Sequence, residues 1–129
     1  MSSVLIADDH PAVRRSIRRM LEAGSDVEII GEAANGQEAV DRACTLHPDL
    51  VIMDLNMPRM DGLSATEEIK RRCRDVRVLM LSMFDSDATV DQARASGVDG
   101  YVTKGQHAAT LLLAIASVLH NEPFFPSNN

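Results

Sequence analysis

The sequence predicts an α/β domain: a doubly wound parallel sheet with helices on both faces. Three observations predict it. Five short apolar runs alternate with longer segments of helical periodicity, the pattern of strand–helix crossovers. The run Leu50–Met53 is continuous rather than alternating in polarity, as in a strand buried on both faces. Beyond the five runs come turn or polar residues, and four of the runs lead to side chains with chemistry: Asp8 and Asp9, Asp54, Ser82 and Lys104. In open parallel sheets the carboxyl ends of the strands are where ligands bind.

Taken in order, Val4–Ala7 is the first strand, halted by Asp8, Asp9 and His10, and Pro11 suits the first turn of a helix. Val13, Ile17, Met20 and Leu21 recur at helical spacing up to Gly24. Arg14, Arg15, Arg18 and Arg19 are read as a solvated face of that helix, with a docking surface for an acidic partner as the alternative. Val27–Ala33 is the second strand, and 37–47 a helix with Ala39, Val40, Ala43 and Leu46 inward, stopped by Pro48. The third strand, 49–53, delivers Asp54; Pro58, Asp61 and Gly62 then mark a turn. A third helix spans 62–73, and a fourth strand, 76–81, ends on Ser82. The helix over 87–96 is weak, since its inward residues Ala88, Val90, Ala93 and Ala95 bury little area. Gly100–Thr103 is a short fifth strand leading to Lys104. The closing helix, 107–119, has an apolar stripe wider than one core-facing side needs, which suggests a partner. The segment 121–129, NEPFFPSNN, lacks periodicity and reads as a tail or the start of a linker after a domain over 1–120.

Whole-chain properties exclude several classes. At 129 residues one domain buries about two-thirds of its unfolded surface, so no second core is needed. A net charge of −6 argues against direct nucleic-acid binding by this domain, because such binding draws on Lys and Arg against phosphates. The amino terminus does not read as a signal peptide, and the longest apolar run, 111–119, is too short to span a bilayer. Cys44 and Cys73 fall in helical segments without metal-ligand spacing and read as reduced packing residues of a cytoplasmic protein.

Three carboxylates gathered at one rim repel one another, so the cluster is stable in ionised form only with a cation among them. An oxygen-only ligand set suggests Mg²⁺, which often shares its shell with a phosphate. Lys104 adds a point charge for the same anion and Ser82 a hydroxyl donor. A carboxylate can itself be the nucleophile in phosphoryl transfer. Together these residues read as a phosphoryl-transfer site.

From Val4 to about Leu119 the chain resembles the receiver domains of two-component response regulators. The residues that carry the resemblance are Asp8-Asp9, Asp54 with Met57-Pro58 and Asp61-Gly62, Ser82, and the run 100–104 around Lys104. ADDHPAVR, ANGQEAV and LSMFD further resemble the subfamily with a LuxR-type helix-turn-helix output domain. The resemblance implies a five-stranded sheet of flavodoxin-like order 2-1-3-4-5 in a (βα)5 chain. It implies a phosphoacceptor switch rather than an enzyme, with Asp54 taking a phosphoryl group from a sensor histidine kinase. Mg²⁺ would be held by Asp9 and Asp54 directly, Asp8 through water and the backbone carbonyl of Asn56; Lys104 would pair with a phosphoryl oxygen. Ser82 would swing to bond another, and Tyr101 would turn into the space it leaves, changing the surface of the last two helices and the fifth strand. Transcriptional control through an output domain is the implied readout, with a stand-alone shuttle as the alternative; the wide apolar stripe of the last helix suggests a homodimer with that helix at the interface.

Two departures from the family pattern stand out. Gly105 follows Lys104 where proline, often after a cis bond, is usual, which leaves the local backbone open. Met83 and Phe84 are bulkier and more apolar than is common there, and with Met57 they are expected to restrict access to the site. Singly, Asp8 and Asp61 read equally well as helix caps, Ser82 as a strand-end hydroxyl and Tyr101 as a half-buried edge aromatic; Asp61 is kept as a turn residue and His10 as a helix-start residue rather than a ligand. Competing classes fit less well. A haloacid-dehalogenase-like phosphatase needs a second Asp where Asn56 stands, a flavodoxin-like cofactor binder needs a phosphate cradle in place of Asp-Asp-His-Pro, and a degenerate receiver would lack Asp54 or Lys104.

Overall fold

The computed structural model describes residues 1–126. Five strands and five helices alternate: β1 (Ser3–Ala7), α1 (Pro11–Gly24), β2 (Glu28–Ala33), α2 (Gly36–Leu46), β3 (Leu50–Asp54), α3 (Gly62–Arg72), β4 (Arg77–Ser82), α4 (Asp87–Ser96), β5 (Gly100–Thr103) and α5 (Ala108–Leu119). The strands form one parallel sheet in the order β2-β1-β3-β4-β5, the expected one. β3 is central and all five of its residues are buried.

Alternation along the strands divides the core in two. Leu5, Val51, Met53, Val78, Met80 and Tyr101 face a cluster shared with α2, α3 and α4. Val4, Ile6, Leu50, Ile52, Leu79, Leu81 and Val102 face the other, shared with α1 and α5. A strand apolar on both faces is therefore required at the sheet's centre, which is why the run Leu50–Met53 is continuous.

Local chemistry starts and stops the helices. The Asn35 side chain accepts from Glu38 N at 2.9 Å while Glu38 Oε1 accepts from Ala34 N at 2.9 Å, a reciprocal cap on α2. Asp61 caps α3, accepting from Ser64 N at 2.7 Å, so this turn residue is also an N-cap. Ser86 caps α4, and Gly97, at φ 105°, ends it in the left-handed region.

Several expectations need correction. Cys44 and Cys73 are not free: they form a disulfide between α2 and the C-cap of α3, whose Cα atoms lie 5.8 Å apart. Their 29-residue separation gave no hint of this, because adjacency of the two helices is a tertiary fact. Within α4 only Val90, Ala93 and Ser96 are buried, while Ala88 and Ala95 are exposed, so the helix is held even more sparsely than its pattern implied. The stripe of α5 is mostly consumed: Leu111, Ala114, Ile115 and Val118 are buried, and Leu113 alone of its leucines stands exposed, at 65%. Two of the four α1 arginines are engaged, Arg14 and Arg18 both bonding the Glu32 carboxylate.

The end of the chain also behaves differently. Phe124 pairs with Gly100 on the free edge of β5, its carbonyl accepting from Tyr101 N at 2.7 Å. The Arg94 guanidinium of α4 lies 3.7 Å from the centroid of the Phe125 ring. Residues 124–125 are thus a strap over β5 and α4, and 127–129 lie outside the described residues.

Candidate functional site

The site is built where β1, β3, β4 and β5 end. Because the strands are parallel and in register, Asp54 lies opposite Leu81 and Ser82 opposite Thr103. The loops that follow therefore open on one rim. Gly62 closes the loop after β3: a Cβ there would lie 2.3 Å from the Asp54 carbonyl oxygen, so only glycine lets α3 begin against the end of β3.

Three carboxylates and one ammonium occupy the rim. Lys104 Nζ reaches across from the β5–α5 loop to Asp8 Oδ2 at 3.0 Å and Asp54 Oδ1 at 3.0 Å. Asp8 is fully buried, and its Oδ1 accepts from His10 N at 2.8 Å. One ligand atom each from Asp8, Asp9, His10 and Asp54 can lie within 4.8 Å of the others. Asp9 Oδ1 is buried without a hydrogen-bond donor; His10 Nδ1 is 3.0 Å away but not aligned to supply one. A buried, donorless carboxylate oxygen is costly, and a hard divalent cation is the partner that would satisfy it. The donor set thus fits a metal of the Mg²⁺ type.

Electrostatics follow from this crowding. Burial pushes the Asp54 carboxyl above its usual range, Lys104 opposes that by hydrogen bonding, and the charges of Asp8 and Asp9 add to the rise. Burial works against the Lys104 ammonium, but bonds to Asp54 and Asp8 outweigh it and raise its pKa. The pair is therefore a carboxylate reluctant to ionise beside a lysine firmly charged.

The remaining sequence-derived residues are placed unevenly. Ser82 is buried, and its Oγ accepts from Phe84 N at 3.0 Å. Tyr101, read as half-buried at the edge, is fully buried, and its hydroxyl donates to the Phe84 carbonyl in the β4–α4 loop. The tyrosine side chain is turned inward, and burial raises its phenol pKa above the usual value. Asn56 is exposed at the loop after β3. Met57 packs into the α2–α3 side of the core, 9% exposed, so it supports the loop rather than gating the site. Met83 and Phe84 lie at the rim, 69% and 54% exposed.

At His10, read as a helix-start residue, and at Gly105, where the sequence leaves the backbone open, the structure adds detail. His10 occupies the N-cap position of α1 but makes no side-chain cap; its ring faces Asp8 and Asp9 instead. Its place directly after the two acids was the available signal. Gly105 takes φ 92°, a value proline's ring forbids, and no cis bond occurs among the described residues. A groove of about 400 Å³ between α1 and α5, lined by Met83, Val102 and Lys104 among others, adjoins the site.

A parallel sheet of this order, carrying at its rim an acid cluster answered by a single lysine from the loop after the last strand, defines the receiver class of signalling domains. Residues 4–116 match the response regulator receiver domain, and the chain belongs to that family. Among curated proteins it is 40% identical to the response regulator protein VraR of Staphylococcus saprophyticus, over 95% of this chain and 58% of that protein. It is 42% identical to VraR of Staphylococcus aureus, with the same coverage. The chain thus spans a little over half the length of these relatives. Among solved structures, a LuxR-family two-component response regulator from an Aurantimonas species superposes with a TM-score of 0.92 at 33% identity, covering 96% of this chain and 89% of that one. The isolated receiver domain of RcsB from Salmonella enterica, solved with the phosphomimetic BeF3⁻, gives 0.88 at 29% identity, covering 98% and 94%.

Proposed function

We propose that residues 1–120 form a phosphoacceptor domain in which Asp54 takes a phosphoryl group from the phosphohistidine of a sensor kinase. An Asp54 carboxylate oxygen attacks phosphorus, the P–N bond to histidine breaks, and an acyl phosphate remains on Asp54. The observation that carries this reading is Lys104 Nζ, 3.0 Å from both Asp54 and Asp8, beside an Asp9 oxygen with no donor. Lys104 would hold a phosphoryl oxygen, and Ser82 Oγ would donate to another on giving up Phe84 N. Asp8, Asp9, Asp54 and the Asn56 backbone carbonyl would hold Mg²⁺. When bound, the ion supplies positive charge that offsets the carboxylates and the phosphoryl oxygens.

The domain acts as a switch rather than a turnover enzyme. Displacing the Ser82–Phe84 contact alters the β4–α4 loop that Tyr101 also holds, and α4 is anchored by few side chains, so the face of α4, β5 and α5 is the element that responds. Dimerisation through α5 and its neighbours would transmit the change. Likeness to VraR and to LuxR-family regulators favours transcriptional control through a DNA-binding output domain over a stand-alone shuttle, and a cytoplasmic location; among the described residues no helix is long and apolar enough to cross a membrane.

Incubation with acetyl phosphate and Mg²⁺, followed by intact mass measurement, tests the reading. A single phosphoryl adduct, absent from Asp54→Asn and from samples without the metal, is the expected result. No adduct under conditions that modify another receiver would refute it.

A further inference from the structure

The switch described above gives His10 no task, and its local setting frees the side chain for one. His10 stands at the N-cap of α1 with extended backbone, φ −101° and ψ 112°, yet its side chain makes no cap. Its carbonyl takes the first helical bonds instead, from Val13 N at 3.0 Å and Arg14 N at 3.1 Å, and Pro11 at the helix start has no N–H to satisfy. The imidazole is therefore spare, and it turns back over the acids. Its Nδ1 lies 3.0 Å from Asp9 Oδ1 and 3.3 Å from Asp8 Oδ1.

These two contacts differ in kind. Asp8 Oδ1 already accepts from His10 N at 2.8 Å. Asp9 Oδ1 is buried and accepts from no donor, although the ring nitrogen is so close. A nitrogen lone pair and a carboxylate oxygen at this separation repel unless one cation lies against both. Adjacent ligands of an octahedral ion at about 2.1 Å lie about 3.0 Å from each other, and Nδ1 and Asp9 Oδ1 have that spacing. On the far side Lys104 Nζ holds Asp8 Oδ2 and Asp54 Oδ1, which leaves the second Asp54 oxygen for the ion. The ring is 66% exposed and loses little packing by adjusting to it.

We propose that Nδ1 of His10 is a further ligand of the cation held at this rim, and that it draws the site's preference from Mg²⁺ toward first-row transition ions such as Fe²⁺, Co²⁺ and Zn²⁺. The proposal rests on the reading of the rim as a cation site. Carboxylate and carbonyl oxygens alone suit Mg²⁺, whereas imidazole adds little to that hard, strongly hydrated ion and much to a borderline one. Binding replaces one water of the ion's shell by the imidazole lone pair.

Titration calorimetry at pH 8, where a free imidazole is neutral, compares Co²⁺ with Mg²⁺ on the whole chain. The wild type should bind either ion at the rim, and His10→Ala should lower the ratio of Co²⁺ to Mg²⁺ affinity by about ten-fold or more. His10→Gln, which keeps bulk and polarity without the imidazole, should behave as the alanine variant does. The visible absorption band of bound Co²⁺ should lie at shorter wavelength in the wild type than in either variant, because nitrogen exerts the stronger ligand field. Asp9→Asn, which should lose this band, separates the rim from Co²⁺ held by His47, His107 or His120. An unchanged affinity ratio or an unmoved band, with Mg²⁺ still bound, would overturn the proposal and leave the phosphoacceptor reading standing. A rise in affinity for both ions in His10→Ala would mark the ring as a counter-charge to the acids and would overturn it equally. Failure of the wild type to bind Mg²⁺ would remove the cation site, and the proposal with it.

Discussion

At the scale of single residues, Asp54 and Lys104 set the site's behaviour. Burial raises the Asp54 carboxyl above its unfolded value, so the fold favours the protonated acid. That contribution to stability is fully present below the unfolded pKa and is lost as pH rises through the raised folded pKa. At neutral pH the charged residue therefore costs stability when no divalent cation is present. Asp54→Asn should then raise the melting temperature at pH 7 by roughly 4 °C, corresponding to about 1 kcal/mol, with the gain shrinking toward pH 4 and reversing when Mg²⁺ is added. Calorimetry at the two pH values, with and without Mg²⁺, checks the sign. Met83 and Phe84 project from the rim, where apolar surface would limit water reaching an acyl phosphate. Alanine at either position should shorten the lifetime of the phosphoryl adduct several-fold, read as loss of the mass increment with time; equal lifetimes in both variants would remove them from this role.

At the scale of elements, the sequence was most legible where period and cap agreed. Every strand and helix lies within one or two residues of its expected span, because a buried parallel strand must be apolar on both faces and a helix on only one. The errors concern what each element touches. Arg14 and Arg18 look like solvent residues until β2 brings Glu32 beside them, where the bond from Arg18 is the main cause holding the Glu32 carboxyl below its usual range. Periodicity is absent from 121–126, yet backbone pairing at Phe124 and the stacking of Arg94 on Phe125 need no period. This strap ties the chain leaving the domain to α4, the most sparsely packed helix. Phe125→Ala should cost about 0.5–1 kcal/mol of local stability, seen as faster amide exchange in 87–96 with the central strand unaffected.

At the scale of the whole molecule, two half-cores on one sheet present two different outer surfaces. The α5 side shows Leu113 exposed and the α1–α5 groove open beside Lys104, which favours self-association there. Light scattering should report a dimer that grows in proportion when the beryllofluoride mimic and Mg²⁺ are added; a monomeric mass in both conditions would reject the dimer. The sequence by itself determined the sheet, its alternation with helices, and the acids and lysine at the strand ends, since these depend on local period and on the rule that parallel strands bring their carboxyl ends to one rim. Only the tertiary structure decided that Lys104 bridges Asp8 and Asp54, that Asp9 Oδ1 lacks a hydrogen-bond donor among the described residues, that Tyr101 is fully buried, and that Cys44 meets Cys73. Each of these is a distance between residues far apart along the chain or an orientation set by packing, and local sequence preferences contain neither.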